Sequence, residues 1–221
     1  MMPIKSSKQT KVIILDFDGV IVESVGIKDR AFYELYQGYP DHIDAIMSYH
    51  LAHNATIRFI KFKYISENIL GRTYTPEDER LLSNRFSDLI FKEIVACPYV
   101  PGALEFLESF HGKLPMYLVS ISPQAELMRI LENRNLTRYF FEVFSSDWKK
   151  IDAIKHILHK ENIENTQAVF IGDTYEDYQA ALATEVAFVG RDSGKPFKDA
   201  EINLMRDMFK VGELISDSID E

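Results

Sequence analysis

Lys11-Val12-Ile13-Ile14-Leu15-Asp16-Phe17-Asp18-Gly19-Val20 is the stretch from which the rest of the chain can be read. Four consecutive β-prone apolar residues, Val12 to Leu15, are too few to span a membrane and predict a buried central strand. Two acids follow at once. A strand that runs into Asp-x-Asp-Gly carries two carboxylates at its carboxyl end, the edge where open α/β sheets bind ligands. Gly19 permits the tight exit such a loop needs. Carboxylates this close repel each other unless a cation or a shared proton relieves them. As a plain Asp-Gly turn, the motif would only join two strands. A calcium loop would need oxygen ligands at its fifth and twelfth positions, where Val20 and Ile27 stand. A nucleotide-binding glycine loop is missing as well. No Gly-x-Gly-x-x-Gly follows the strand, and Gly194-Lys195 runs into Pro196 with Val189 where a phosphate loop has its first glycine. What remains is a metal-assisted carboxylate site that needs partners further along the chain.

The 221 residues suit one domain with a substantial insertion. Apolar residues make up 46% and charged residues 27%, the balance of a soluble globular protein. The formal net charge of −9 argues against nucleic acid as the main partner, since that would call for a basic face. It also repels anionic substrates at long range, so a phosphate site would have to draw them in locally with a metal ion and a few basic residues. No apolar run reaches membrane-spanning length, and the polar, basic residues 1–11 lack the apolar core of a secretory signal. The single cysteine, Cys97, fits a reducing cytoplasm and is expected as a small buried hydrophobe.

Residues 1–10 read as a frayed leader. From Lys28 to about Val95, apolar residues recur at helical spacing: Ala31, Phe32, Leu35 and Tyr36 in one stripe, Ile57, Phe59, Ile60 and Tyr64 in another. Thr75-Pro76-Glu77-Asp78 has the form of a helix start, with a capping threonine, a first-turn proline and acids at the positive end of the dipole. This segment is expected to hold four helices. His50-x-x-His53 has no glutamate between the pair and reads as two surface histidines. Beyond Cys97-Pro98-Tyr99-Val100-Pro101-Gly102 the pattern turns to strand–helix alternation. Strands are expected at Met116–Val119, Phe141–Phe144, Ala168–Ile171 and, last, Val186–Val189. Helices are expected at Pro101–Phe110, through Leu127, Ile130 and Leu131, at Ile151–Leu158, and through Ala180 to Leu182. The tail from Asn203 should hold a short helix and an acidic, disordered end. Repeated strand–helix units imply a parallel sheet with right-handed crossovers and helices on both faces.

Three of these strands end in polar residues: Asp16-Phe17-Asp18, Ser120-Ile121-Ser122, and Gly172-Asp173 with Asp177 beyond. A parallel sheet lines up its carboxyl ends along one edge, so these groups can converge. Lys149-Lys150 opens the helix before the Asp173 strand. In this order and spacing the chain resembles the haloacid dehalogenase superfamily. The resemblance implies a Rossmann-like α/β core over 11–23 and 97–221, with a helical cap over 24–96. It implies that Asp16 is a nucleophile forming an aspartyl-phosphate. Asp18 would be the general acid/base and lend its backbone carbonyl to the metal. Ser120 would bind the phosphoryl group, and Lys150 would offset charge, with Lys149 a rival. Asp173 would join Asp16 and Asp18 in holding Mg²⁺, and Asp177 would stand behind as an outer acid. Gly19 and Ser122 complete the surroundings.

In the resemblance the cap closes over the site and selects substrate, which makes Arg58, then Lys61 or Lys63, the candidates to touch a substrate's distal end. Val20 stands where many phosphatases of the family carry threonine, and the Lys-Pro pair common near the lysine is absent. The presence of Asp18 favours phosphoryl chemistry over dehalogenation. The reading is a Mg²⁺-dependent phosphomonoester hydrolase for a small phosphorylated metabolite. The alternatives are a sugar-phosphate mutase, told apart by an isomerised product, and a silent module that binds a phosphate ligand, told apart by absence of turnover.

Overall fold

A computed structural model describes residues 9–53, 56–194, 197, 202 and 204–219. The chain divides into two compact units, one of Met1–Glu23 with Pro98–Glu221 and the other of Ser24–Cys97.

Among the described residues the first unit holds six strands: β1 (Val12–Leu15), β2 (Met116–Val119), β3 (Glu142–Phe144), β4 (Ala168–Gly172), β5 (Ala187–Arg191) and β6 (Leu204–Met205). They form one parallel sheet in the order β3-β2-β1-β4-β5-β6. The four apolar residues of β1 are at most 1% exposed, as a strand flanked on both edges and covered on both faces must be. Val12 and Ile14 face the core that Tyr117, Phe170, Ala153, Ile154, Ile157, Ala180 and Ala181 share. Ile13 and Leu15 point the other way by the two-residue period of a strand. β1 is in register with both neighbours, Leu15 beside Leu118 and beside Ile171, so the three strands end level. The strand order reverses between β1 and β4. That is the switch point at which open α/β sheets leave a crevice beyond their carboxyl ends.

The second unit holds α1 (Val25–Tyr36), α2 (Ile43–Ala52), α3 (Arg58–Tyr64), which runs on into a π-helical turn at Ile65–Ile69, and α4 (Pro76–Ala96). Thr75 caps α4 in a reciprocal capping box with Asp78, as its sequence signature foretells. Phe32, Phe62 and Phe86 meet at its centre, with Phe32 and Phe86 edge to face at 5.1 Å. His50 departs from expectation. It is 3% exposed, stacks on Phe32 at 3.8 Å, and joins Asp29 at 2.9 Å and Lys61 at 3.3 Å through its two ring nitrogens. A lysine ammonium only donates, so Nδ1 accepts from Lys61 and Nε2–H donates to Asp29. A polar residue on a buried helix face survives there because both its ring nitrogens are paired. His53 is exposed, as expected. Cys97 is buried with its thiol against the Ile94 carbonyl.

The remaining helices, α5 (Ala103–Phe110), α6 (Gln124–Asn133), α7 (Lys150–Glu161), α8 (Tyr175–Thr184) and α9 (Met208–Ile219), belong to the first unit. One expectation for its end needs correction. Val186–Val189 marks β5, but β6 lies beyond it, so it is not the last strand. The helix expected in the tail is α9. α9 buries Met208, Val211 and Ile215 and packs on α5, while Thr10, in the supposed leader, bonds to Ser218. Residues 1–8 of that leader and the acidic terminus at 220–221 lie outside the described residues. No described helix is long and apolar enough to cross a membrane.

Candidate active site

The level ends of β1, β2 and β4 bring their polar residues together on one edge. Asp16 leaves β1 with its N–H still bonded to the Ile171 carbonyl at 2.9 Å, so its side chain is aimed by the sheet itself. One carboxylate oxygen, Oδ1, accepts from the Phe17 N–H at 2.8 Å, and the other, Oδ2, lies 3.2 Å from Lys150 Nζ. Lys150 is the first residue of α7, while Lys149 is its extended, exposed N-cap. Lys150 also donates to Asp177 Oδ1. The structure therefore brings Lys150, and not Lys149, to Asp16.

Asp177 is fully buried, and its neighbours account for that. Thr174 caps α8 in a capping box: Asp177 Oδ2 accepts from the Thr174 hydroxyl at 2.6 Å and from the Thr174 N–H at 3.1 Å, and the Asp177 N–H returns to Thr174 Oγ1. Gly172 makes room. A Cβ there would stand 2.4 Å from Asp177 Cβ, closer than any real contact, so glycine is required at the end of β4. With Oδ1 on Lys150 and Oδ2 on Thr174, Asp177 acts as the anchor of Lys150.

Asp173, 1% exposed, follows Gly172. Carboxylate oxygens of Asp16, Asp173 and Asp177, all buried, lie within 4.8 Å of one another. Asp18 stands outside that trio and is partly buried, its Oδ2 accepting from Ser122 Oγ at 3.4 Å. Ser120, 2% exposed, is fixed by its N–H to the Phe144 carbonyl and by the Ser122 N–H, which donates to its hydroxyl at 3.2 Å. Gly19, at φ +76°, turns the loop after Asp18. Arg58 lies in the helical unit, buried, donating to Ser87 Oγ at 3.1 Å and covering the Phe86 ring.

The electrostatics follow from this crowding. Burial pushes the Asp16 carboxyl up to about 7 from 3.8. Lys150 pulls it back down, and Asp177, Asp173 and Asp18 push it further up. Burial alone would depress the Lys150 ammonium, but Asp16 and Asp177 outweigh it and hold the group above its ordinary value. Three buried carboxylates facing Lys150 form a site short of positive charge. The donor set is all oxygen, which suits a hard cation such as Mg²⁺ that keeps several of its own waters. Asp177 is bonded at both oxygens, to Lys150 and Thr174, and Asp16 and Asp173 are the candidates to offer carboxylate oxygens to a metal.

A parallel α/β sheet with acids gathered at its switch point defines the class: a Rossmann-like α/β protein with a carboxylate–lysine cluster at the carboxyl edge of its sheet. The haloacid dehalogenase-like hydrolase family model matches residues 13–191, and the chain belongs to that family. It is similar to the phosphoglycolate phosphatase of Aliivibrio fischeri, 27% identical over 214 residues that cover 90% of this chain and 93% of that protein. Among solved structures it is similar to a predicted phosphoglycolate phosphatase from Haemophilus somnus, with a TM-score of 0.74 at 15% identity over 94% of this chain and 99% of that one. It is also similar to YfnB of Bacillus subtilis, crystallised bound to magnesium, with a TM-score of 0.72 at 13% identity over 95% of this chain and all (100%) of that one.

Three structural partners of the site were not singled out from sequence: Thr174, Gly172 as the seat of Asp177, and Arg191. Thr174-x-x-Asp177 has the written form of a capping box and was legible. Arg191 had no local signal. It reaches Gly19 from 172 residues away.

Proposed function

We propose that the protein is a Mg²⁺-dependent phosphomonoester hydrolase acting through an aspartyl-phosphate on Asp16. The observation that carries the reading is the buried Asp16–Lys150–Asp177 chain beside Asp173 at the switch point of the sheet. Asp16, pinned by the Phe17 N–H, attacks the phosphorus in line with the departing oxygen. Asp18 gives that oxygen its proton and then takes one from the water that attacks the aspartyl-phosphate. Ser120 donates to a phosphoryl oxygen, and Ser122 orients Asp18. Lys150, held by Asp177, offsets the charge that builds on the phosphoryl group. Asp16, Asp173 and the Asp18 carbonyl would hold Mg²⁺, which when bound would supply charge neutralisation for the transfer. The helical unit is the candidate for selecting the substrate, with Arg58 as its first candidate for contact with the substrate's far end.

A relative that matches along most of the chain points to phosphoglycolate, a small ester that carries a carboxylate beside its phosphate, as the first substrate to try. A local cation suits it, since the net charge of −9 repels anions at long range. The test is phosphate release from phosphoglycolate and from a generic aryl phosphate, with Mg²⁺ and with a chelator. Release is expected from at least one ester with Mg²⁺ and from neither with chelator. Release that is indifferent to chelator overturns the metal dependence, and a folded protein silent on a wide panel of phosphate esters overturns the hydrolase reading.

A further inference from the structure

Arg191, the last residue of β5, is 6% exposed and sits on the same carboxyl edge of the sheet as the acids, yet it touches none of the groups assigned above to the chemistry. Its guanidinium is spent on the loop after β1. Nη1 donates to the Gly19 carbonyl at 3.2 Å and to Glu23 Oε2 at 3.1 Å, and Nη2 donates to Glu23 Oε1. The loop between those two contacts is wound on itself. The Phe17 carbonyl accepts from the Ile21 N–H at 2.9 Å and more distantly from Val20 and Val22, and the Gly19 N–H closes on the Val22 carbonyl at 2.8 Å. Glu23 then bonds through its N–H to the Pro98 carbonyl, where the chain re-enters this unit.

We propose that Arg191 is a positioning residue for the reaction. Its planar fork ties Gly19 and Glu23 of the 17–23 loop to β5 and so sets where the Asp18 carboxyl and carbonyl stand. The geometry requires an arginine. Two Nη groups are needed to hold a carboxylate at two points and a backbone carbonyl as well, which a lysine cannot do from one nitrogen. The tie is also long in sequence and short in space, with β4 alone between β1 and β5. The far side of the loop is also bonded to the 98–100 segment, where the Glu23 N–H donates to the Pro98 carbonyl and the Ile21 carbonyl accepts from the Val100 N–H, and Arg191 adds the tie that holds its Gly19 side to the sheet. Asp18 lies directly before the tied segment, one residue ahead of the bonded Gly19 carbonyl. A shift of the loop would therefore misplace the acid/base without touching Asp16, Lys150 or Asp173, which are held by β1, α7 and β4.

The kinetic arm of the test rests on the phosphatase reading, and a second arm does not. Arg191→Met removes the tie, Arg191→Lys keeps the charge without the fork, and Glu23→Gln keeps one acceptor. For Arg191→Met, kcat is expected to fall roughly 10- to 100-fold with KM changed by less than about three-fold, the signature of misplaced chemistry rather than lost binding. Arg191→Lys should recover only part of the loss. Arg191→Met with Glu23→Gln should be no worse than Arg191→Met alone, because the two act as one device. In the second arm, hydrogen exchange in the metal-free protein should quicken at the amides of Phe17 to Val22 and stay unchanged along β4. Unchanged protection in that loop, or faster exchange spread equally through β1 and β4, overturns the proposal, as does a kcat within about two-fold of wild type. A wild type that releases no phosphate would sink the phosphatase reading while the exchange arm still decides the clamp.

Discussion

Asp16→Asn is expected to abolish phosphate release, by about 10⁴-fold or more, and at the same time to make the metal-free protein more stable above neutral pH. The first effect follows because an amide oxygen is too weak a nucleophile to form the phosphoenzyme. The second follows from the crowding of acids. Burial, with Asp177, Asp173 and Asp18 behind it and Lys150 opposing, holds the Asp16 carboxyl up to about 7 against 3.8 in an open chain. Between those two values the folded protein keeps a proton that the unfolded chain has lost, so stability falls as pH rises from about 4 to about 7. Asparagine has no proton to give up, and for that variant this decline should vanish. Mg²⁺ should also cancel it in the wild type, because a ligand of the folded state alone stabilises that state. Melting curves from pH 4 to 8 for both proteins, with and without Mg²⁺, read all of this. Parallel curves for wild type and variant would mean that Asp16 carries no such strain.

Lys150→Met is expected to have the next largest effect, this time on both stability and rate. The ammonium bonds Asp177 and lies 3.2 Å from Asp16, with 11% of its side chain exposed. Taking it away leaves two buried carboxylates facing each other and Asp173 without their counter-charge. Removing one partner of a buried pair costs about 3–5 kcal/mol. Asp16 and Asp177 hold the Lys150 ammonium above its ordinary value, so in the wild type its contribution is present throughout neutral pH and is lost only in strong alkali. The deficit of the variant should therefore be largest at pH 8 and shrink towards pH 5, as the freed Asp16 carboxylate takes up a proton. Turnover should fall by about 10²- to 10³-fold, the usual loss when one group that stabilises transition-state charge is removed. Urea unfolding at pH 5 and pH 8, beside kcat at pH 8, measures it. A stability loss below about 1 kcal/mol at pH 8 would show that the pair is not the electrostatic keystone described.

Much of this architecture could be read from the chain because it is written locally. β1 is a run of apolar residues that nothing but a buried strand explains, and acids directly after a strand must lie at its carboxyl end. Thr75-Pro76 announces α4 by the physics of a helix N-terminus. Lys150 could be preferred over Lys149 because it lies one helical turn before Ile154, a residue that proves fully buried under the sheet. What could not be read is written in space instead. The Arg191–Glu23 pair joins residues 168 positions apart. His50 sits at a polar-looking position, and its burial depends on Asp29 and Lys61, which arrive from other helices. β6 is two residues long, too short to carry a period.

The central claim is that the Asp16 carboxylate is the atom group that takes the phosphoryl group, and one measurement tests it most directly. The protein is mixed with Mg²⁺ and the ester it cleaves fastest, treated with borohydride during turnover, digested, and read by mass spectrometry. Borohydride reduces an acyl phosphate and leaves a free carboxylate alone. The account predicts homoserine at position 16, present only when ester and Mg²⁺ are both supplied. Rapid phosphate release with Asp16 recovered intact, or with the reduced residue at Asp18 or Asp173 instead, would contradict it.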